Sequence, residues 1–349
     1  SSVPAPGVME GYTALLAEEA RQRTGDVPPR MVTIYVGGGT PLFLPPAELA
    51  RLLRFLRGFT GPETRSWSME ATPETLTPEK IALLGENGVT RVTLGLQSGE
   101  AEVLQRAGRR SGPDAVREAV TRLTAAGITD IGVDLIVGLP GETAAGFERT
   151  AALLPELGCT HVSAYLLSVE ADTPLAGLLE AGRACLPSGS TVRRRFQHLS
   201  LLLQRVGFRR YEFSNFAKPG CEALHNQRVW EGRPYLGLGV GAVGCDGAVR
   251  YRNPVTLEAW RRALAGGVAA AQEEDRLDPE KRLLERLLLG LRTVSGIPAG
   301  EEPLRSHLLD RGAVVDRLQR EGLLQPCQQV LRMTRKGWFW LDRVLAELV

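Results

Sequence analysis

The sequence has no run of about 18 apolar residues, the length that a membrane-spanning helix needs, so no membrane span is expected. Lysine is scarce, because it occurs only at Lys80, Lys218, Lys281 and Lys336 and almost all of the positive charge is arginine. The 42 basic and 40 acidic residues nearly cancel. This balance leaves no general basic field of the kind that attracts nucleic acid.

Cysteine is also sparse, and no two of the five cysteines lie within four residues of each other; they are Cys159, Cys185, Cys221, Cys245 and Cys327. Scattered cysteines in a chain of this length are typical of buried, reduced thiols. The opening residues, from Ser1 to Pro4, resemble neither a signal peptide nor an initiator methionine. We therefore predict a cytoplasmic protein whose sequence begins inside a longer one.

The first half alternates short apolar runs with helical patterns. Each run ends in glycine or polar residues, and the runs cover residues 31–36, 67–71, 89–96, 131–137 and 161–167. Such alternation predicts a parallel sheet with helices outside, and near-continuous apolar runs predict strands that are buried on both faces. Since only five such strands are visible, we predict an α/β fold with an incomplete (β/α)6-type TIM-like barrel.

The pattern changes from Ser190 onward. Three helical segments after residue 279 precede a short hairpin near residue 330, which predicts a C-terminal α+β winged-helix-like domain. We divide the chain into a partial barrel (1–190), an extension or linking segment (191–270) and the winged-helix-like domain (271–349). Nucleic-acid binding through Arg332, Arg335 and Lys336 is the weakest of the functions that the sequence leaves open.

Polar residues at the strand ends carry the chemistry. Glu70, Gln97 and Asp134 each stand near the end of a different strand. Side chains in these positions meet at the carboxyl mouth of a barrel, where carboxylates and amides suit a ribose diol, an amine or a cation. Arg109 is a candidate partner for a ligand carboxylate.

The glycine run Gly37-Gly38-Gly39 follows the first of these strands and leads into Thr40. Glycines here allow the backbone to approach a ligand closely. The lysine and the hydroxyl residue of a P-loop are missing, and an ordinary tight turn remains an alternative.

The order GGGTP, MEATPE, LGLQS and DLIVGLPGET resembles the radical S-adenosylmethionine family around oxygen-independent coproporphyrinogen III oxidase, over essentially the whole chain. The resemblance implies S-adenosylmethionine as a cofactor, with the glycine run at its methionine amino group. The positions that match the family's cofactor pocket are Gly37, Gly38, Gly39, Thr40, Glu70, Gln97, Arg109, Asp134, Ser168, Ala242 and Val243.

The second half resembles the haem chaperone branch of that family. The segment from His225 to Trp230 is similar to an HNxxYW motif in which Val229 replaces the tyrosine, and Ala242-Val243 stands where relatives commonly show an alanine followed by histidine. The resemblance implies haem as cargo, to be delivered to respiratory apoproteins. We predict that His225 is a candidate iron ligand in a polar loop, with a buried, hydrogen-bonded histidine as the alternative. Trp230 and Arg228 are further candidate haem contacts, with core packing and simple solvation as their respective alternatives.

The family also binds a [4Fe-4S] cluster through a CxxxCxxC motif that precedes the glycine run. The residues from Ser1 to Gly37 contain no cysteine, and the first barrel strand is missing too. We therefore expect the cluster cysteines upstream of Ser1, no metal ligands in this chain, and no reductive cleavage of the cofactor by the chain as written.

Two classes of function within the family follow from the resemblance. The first is a haem chaperone, and the second is a coproporphyrinogen dehydrogenase that removes two propionate carboxyl groups through a 5′-deoxyadenosyl radical. The catalytic residues, the oligomeric state and a weak association with the membrane periphery are left open.

Overall fold

The computed structural model describes residues 11–109, 111–171, 173–266, 273–326 and 329–348. The helices are α1 (Tyr12–Thr24), α2 (Pro46–Arg57), α3 (Pro78–Asn87), α4 (Ala101–Arg106), α5 (Pro113–Ala125), α6 (Ala144–Glu156), α7 (Pro174–Glu180), α8 (Gly189–Arg205), α9 (Leu224–Trp230), α10 (Leu257–Ala265), α11 (Pro279–Gly290), α12 (Leu304–Asp310), α13 (Gly312–Arg320) and α14 (Leu341–Leu348). The strands are β1 (Thr33–Val36), β2 (Ser66–Ala71), β3 (Arg91–Gln97), β4 (Asp130–Val137), β5 (His161–Leu166), β6 (Arg209–Arg210), β7 (Asn215–Ala217), β8 (Val243–Cys245), β9 (Val249–Arg252), β10 (Glu273–Arg276), β11 (Ile297–Pro298) and β12 (Val330–Leu331).

The main sheet has the strand order β1-β2-β3-β4-β5-β7-β6. The first five strands are parallel to their neighbours, whereas β7 runs antiparallel to both β5 and β6. These five parallel strands are the five that the sequence predicts. Helices alternate with them along the chain, and α5 and α8 pack on the central strands. The α/β class and the partial-barrel interpretation are therefore confirmed.

Capping residues set the limits of the helices between the strands. The Thr77 side chain accepts the backbone N–H of Lys80 at the start of α3, and Gly88 ends that helix in the left-handed conformation with φ of 88°. Thr143 caps α6 in the same way by accepting the Gly146 N–H. Both of these helices therefore begin where a threonine side chain satisfies a free backbone N–H group.

The parallel strands are less continuously apolar than the sequence predicts, because one face of the sheet carries polar side chains. Residues on one face are almost all buried and apolar, as Trp67, Val92 and Val133 illustrate. Their neighbours in sequence point to the opposite face, since side chains alternate along a strand. That face, called the polar face below, carries Thr33, Tyr35, Ser66, Ser68, Glu70, Arg91, Thr93, Gly95, Gln97, Asp130, Gly132, Asp134, Ile136, His161, Ser163, Tyr165, Asn215 and Ala217.

The chain divides into two compact units, and each unit is built from separate stretches of sequence. The first comprises Val32–Leu53 and Thr64–Ala223, and it contains the main sheet. The second comprises Ser2–Met31, Arg54–Glu63 and Leu224–Val349. The division into three consecutive domains that was drawn from the sequence stays a prediction.

The second unit contains two small antiparallel sheets. One has the order β10-β9-β8, and the other pairs β11 with β12. Helix α1 packs against α10, where the buried Glu19 carboxylate accepts hydrogen bonds from the Gly239 N–H, the Asn253 amide and the Trp260 indole. Helices α11, α12 and α13 precede β12 in the order that the sequence predicts, and the winged-helix assignment itself stays a prediction.

Three remaining sequence expectations concern membranes and thiols. None of the helices in the described ranges is long and apolar enough to cross a bilayer. Cys159 and Cys245 are buried, as expected, and burial raises the pKa of Cys159 to about 12. The expectation is wrong for Cys185, which lies exposed in the loop after α7, and Cys221 is half-buried. Cys327 lies outside the described residues.

Candidate cofactor-binding site

The glycine run and Glu70 form one connected structure at the carboxyl end of β1 and β2. The Gly38 N–H donates to Glu70 Oε2 at 3.2 Å, and the Tyr35 hydroxyl donates to Glu70 Oε1. A Cβ atom on Gly37 would lie 2.7 Å from Glu70 Oε1 and 2.6 Å from Tyr35 Cε1, so only glycine leaves room for this arrangement. Gly38 and Gly39 have φ of 89° and 66°, which favours glycine for conformational reasons.

Thr40 ends the glycine run in an extended conformation and starts a short 3-10 helix over Pro41–Phe43. Its carbonyl accepts the Phe43 N–H. The three glycines before it are exposed and Thr40 is half-buried. The loop therefore presents backbone rather than bulky side chains beside the Glu70 carboxylate.

Asp134 stands on β4, and its Cα is in register with Gly95 of β3 and Ser163 of β5. Burial raises the pKa of Asp134 to about 7, with the negative charge of Glu70 as a smaller contribution, although a hydrogen bond with Ser163 opposes the shift. Asp134 Oδ1 is buried and has no hydrogen-bond partner among the described residues. An acceptor of this kind fits a ligand hydroxyl or N–H group.

Gln97 lies at a bulge at the end of β3 and has φ of 65°, unusual for a residue with a side chain. A Cβ on Gly95 would lie 2.9 Å from Gln97 Nε2, so the amide folds back over Gly95 on the polar face. Because Gly95 is in register with Asp134, the bulge brings the Gln97 amide toward the same strand end.

The loop after β4 is held by Glu142. Its Oε2 accepts the Gly138 N–H at 2.8 Å and lies 3.7 Å from the Arg195 guanidinium. Burial raises the pKa of Glu142 to about 7 despite these interactions. Glu142 thus holds the start of its own segment, GLPGET, through the hydrogen bond from Gly138. This contact fixes the path of the backbone just beyond β4, the strand that carries Asp134.

Two further predicted site residues of the first unit, Arg109 and Ser168, are exposed. Arg109 is exposed after α4, and its backbone N–H donates to the Leu104 carbonyl. Ser168 is exposed beyond β5 and donates locally to Glu170 Oε1 at 3.4 Å. Their roles stay predictions.

The remaining predicted residues belong to the second unit. Ala242 accepts the Asn253 N–H at 2.8 Å, and Val243 begins β8. Val243 is partly exposed. A Cβ on Gly237 would lie 2.1 Å from the Val243 carbonyl oxygen, so glycine at 237 permits the close packing of these two backbone segments.

His225 lies on helix α9 together with Arg228 and Trp230, so its placement in a loop is wrong. The segment is short and no serine, threonine, aspartate or asparagine directly precedes it, although Gly232, with φ of 69°, follows its C-terminal end. Burial lowers the pKa of His225, and the positive charge of Arg228 lowers it further. The Arg292 guanidinium carbon lies 5.6 Å from the centre of the Trp230 ring, and the indole Nε1 is buried without a partner among the described residues.

Several residues of the polar face had not been assigned to the site. Tyr35 fixes Glu70, and Ser163 bonds to Asp134. Burial raises the pKa of Tyr165 to about 12, with the negative charge of Asp134 as a further cause. Sequence spacing could have identified these residues, because side chains two residues apart on a strand point to the same face. Tyr35 lies two residues before Gly37, and Tyr165 lies two residues after Ser163.

Comparisons with known proteins agree with this architecture. Residues 6–154 match the model of the radical SAM superfamily, and residues 277–340 match the HemN C-terminal domain. The chain is 34% identical over 322 residues to the heme chaperone HemW of Mycobacterium tuberculosis, covering 92% of this chain and 81% of the relative. It is 30% identical over 314 residues to the heme chaperone HemW of Bacillus subtilis, covering 88% and 83%.

Among solved structures, the chain is similar to the coproporphyrinogen III oxidase HemN of Escherichia coli, described as a radical SAM enzyme. The TM-score is 0.82 at 19% sequence identity, and the match covers 97% of this chain and 83% of the other. At this identity the likeness concerns the fold.

Proposed function

The chain belongs to the radical S-adenosylmethionine family of HemN and HemW, and we propose that it is a haem chaperone that binds S-adenosylmethionine on the polar face and carries haem for delivery to respiratory apoproteins. The observation that carries the cofactor assignment is the Gly38–Glu70 contact beside the unpartnered Asp134 Oδ1. Backbone N–H groups, two carboxylates and the Gln97 amide suit a ligand with an ammonium group, a sulfonium and a ribose diol.

The charge of the polar face supports a cationic ligand. Glu70 and Asp134 lie close enough for the charge of one to raise the pKa of the other. Among the basic strand residues of this face, Arg91 is buried and pairs with Asp130 at 2.9 Å, and Arg209 lies on β6 at the edge of the sheet opposite β1. Negative charge attracts a sulfonium, so this face suits S-adenosylmethionine. The relatives called heme chaperones favour the chaperone over propionate decarboxylation.

S-adenosylmethionine supplies an adenosyl group and a sulfonium when bound, and the chain's residues hold and orient it. The Glu70 carboxylate is held in place for it by hydrogen bonds from the Tyr35 hydroxyl and the Gly38 N–H. Within the described ranges, no three histidine, cysteine or acidic side chains are arranged to hold a metal ion, so a [4Fe-4S] cluster does not fit the residues described.

Haem binding is proposed on α9. The lowered pKa of His225 keeps the imidazole neutral at neutral pH, the form that ligates haem iron. The Trp230 indole N–H lacks an acceptor among the described residues, and it would donate to a propionate. The relatives called heme chaperones give independent support to this cargo.

Haem titration of the chain tests the proposal, with His225→Ala as the variant. We expect the variant to shift the Soret band and to weaken binding. The control is His198→Ala on α8, where the histidine lies 3.6 Å from Glu148; this variant should titrate like the parent. Equal spectra and affinities for the parent and His225→Ala would remove His225 from the iron site.

A further inference from the structure

Two buried N–H groups without acceptors lie in the second unit, on neighbouring helical segments. They belong to the Trp230 indole at the end of α9 and to Arg292 Nε just after α11, and neither forms a hydrogen bond among the described residues. The two helices pack against each other, and the Arg292 guanidinium carbon lies 5.6 Å from the centre of the Trp230 ring. Leaving buried donors unsatisfied costs free energy, so this pair indicates an acceptor from outside these residues.

The carbonyl groups next to Arg292 already accept other donors. The Gly290 carbonyl accepts both the backbone N–H and the hydroxyl of Thr293. The Leu291 carbonyl accepts the Trp338 indole N–H at 3.0 Å. The backbone at the end of α11 therefore uses these acceptors for other residues and not for the Arg292 guanidinium.

The end of α9 shows the same situation for Trp230. The carbonyls of residues 227–229 accept the backbone N–H groups of residues 231–233. Glu231, the acid next to Trp230 in the sequence, pairs with Arg233 at 3.4 Å. Neither this stretch of backbone nor the adjacent acid thus serves the Trp230 indole N–H.

Arg292 also differs from two arginines of α11 that have partners. Arg286 pairs with Glu301 at 2.6 Å, and Arg282 donates to the Leu277 carbonyl at 2.9 Å. No acidic side chain in the described ranges pairs with the Arg292 guanidinium. A guanidinium without a counter-charge, beside an indole N–H, favours an anionic acceptor, and its flat array of N–H groups matches a carboxylate.

We propose that Arg292 and Trp230 together hold one propionate carboxylate of haem, which makes Arg292 a further cargo-binding residue; this inference rests on the haem cargo proposed above. An N–H···O bond spans about 2.9 Å, so a carboxylate between two groups 5.6 Å apart can accept from both. His225, the proposed iron ligand, precedes Trp230 by about 7.5 Å along the axis of α9. The iron ligand and the carboxylate contact therefore lie apart, as the iron and the propionates do in haem.

Binding exchanges one contact of Arg292 for another. Trp230 and Arg292 are half-buried, and their unpartnered nitrogen atoms are covered by protein. The guanidinium therefore leaves the ring face to pair with the carboxylate, which takes its place beside the indole N–H. A cation–π contact is weaker than hydrogen bonds between charged groups, so the exchange favours the bound carboxylate. Since Arg292 lies within the residues that match the HemN C-terminal domain, that domain would take part in cargo binding.

The first test uses propionate as the probe and propionamide as its control, since the two have nearly the same shape and only propionate is charged. The readout is the indole N–H resonance of Trp230 in isotope-labelled protein, which the Trp230→Phe variant identifies by NMR. We expect propionate to shift this resonance saturably, with roughly tenfold weaker binding of propionamide. The shift should be lost in Arg292→Gln and kept in Arg286→Gln. No shift, or an equal response to both probes, would overturn the carboxylate site.

The second test compares haem with its dimethyl ester, which keeps the ring and the iron but blocks both carboxylates. We expect the parent to bind haem roughly tenfold more tightly than the ester. Arg292→Gln should lose most of this preference by weakening haem and not the ester, with an unmoved Soret band because His225 remains. Trp230→Phe removes the N–H donor and keeps an aromatic ring, so it provides the same test where Arg292→Gln does not fold. A preference kept in both variants, or equal weakening of haem and ester, would contradict the assignment.

Two further variants separate this inference from the proposed function. Arg286→Gln on α11 is the matched control, and it should keep the parent's preference for haem over the ester. His225→Ala should weaken haem and ester alike and move the Soret band, because it alters the iron ligand and leaves the carboxylate site. A parent that binds haem and its ester equally refutes the propionate site alone. A parent whose Trp230 resonance responds to propionate but that binds no haem refutes the haem cargo, and with it haem as the occupant of this site.

Discussion

The Tyr35 hydroxyl donates a hydrogen bond to Glu70 Oε1 while the other carboxylate oxygen accepts the Gly38 N–H. Both oxygens of Glu70 are thus held by groups from β1 and the loop that follows it. The carboxylate is positioned before any ligand arrives, and this preorganisation reduces the cost of binding.

Tyr35→Phe tests how much this positioning matters. The substitution removes the hydroxyl and keeps the ring, so Glu70 loses one of its donors. A hydrogen bond to a charged group is worth about 1.5–3 kcal/mol, and we expect S-adenosylmethionine affinity to fall roughly tenfold or more. Calorimetric titration measures this, and Tyr12→Phe in the second unit serves as a tyrosine control. Unaltered affinity in Tyr35→Phe would show that the Tyr35 hydroxyl is not required to position Glu70 for cofactor binding.

Gly37→Ala should impair cofactor binding through a steric clash, whereas Gly38→Ala should lower stability through backbone strain. The new Cβ at 37 meets Glu70 Oε1 and Tyr35 Cε1, whereas a Cβ at 38 meets nothing within 4 Å but must adopt φ of 89°. We expect Gly37→Ala to abolish cofactor binding with a modest change in stability. Gly38→Ala should cost about 1–2 kcal/mol of unfolding free energy through backbone strain. Chemical denaturation together with titration separates the two, and identical profiles would contradict the geometry.

The pKa of Asp134, raised to about 7, predicts a pH dependence of defined sign. Above its ordinary pKa of about 4 the unfolded chain has lost a proton that the folded chain still holds, so stability falls as pH rises from about 4 to about 7. Glu142 contributes a change of the same sign. The urea midpoints of the parent and of Asp134→Asn are measured at several pH values, and the difference between them gives the contribution of Asp134. A difference that does not change with pH would refute the raised pKa of Asp134.

Cofactor affinity should change in the opposite direction, because the ionised Asp134 accepts hydrogen bonds from a ligand better than the protonated acid does. Binding is expected to strengthen as pH rises through about 7. The Asp134→Asn variant should lack this rise, which titrations at several pH values would detect. A rise of equal size in the variant would assign it to another group.

The backbone of Gln97 is strained, with φ of 65°, and this conformation places its side-chain amide over Gly95. Gln97→Gly relieves φ of 65° and should raise stability by about 1 kcal/mol, while cofactor affinity falls because the amide is lost. Gln97→Ala keeps the strain and loses the amide, so it should match Gln97→Gly in affinity but not in stability. Equal stabilities, measured by denaturation, would show that the bulge carries no strain.

The strands of the first unit were predictable because each apolar run is closed by glycine or a polar residue, as at Gly37 and Gln97. The difference between the apolar and the polar face of these strands was not predicted. Glycine and serine within the runs obscure the alternation of apolar and polar residues that would have shown it. The limits of α3 could be predicted from two capping residues, Thr77 at its start and Gly88 at its end. Helix α9 has a glycine after its end, Gly232, but Cys221, Glu222 and Ala223 before it give no start signal, and His225 was therefore placed in a loop.

The strand-end residues of the candidate site could be named from the sequence, because a parallel sheet brings those ends together. The supporting residues could not. Arg292 becomes a neighbour of Trp230 only because α11 packs against α9. Such relations follow from tertiary packing and not from local sequence.

The most direct test of the account is a calorimetric titration of the chain with S-adenosylmethionine, beside Glu70→Gln and Asp134→Asn. The account predicts saturable binding at one site in the parent and roughly tenfold or greater weakening in each variant. The surface variant Glu118→Gln on α5 should retain the parent affinity. Absence of binding by the parent, or equal affinity in all four proteins, would contradict the claim that these carboxylates hold the cofactor.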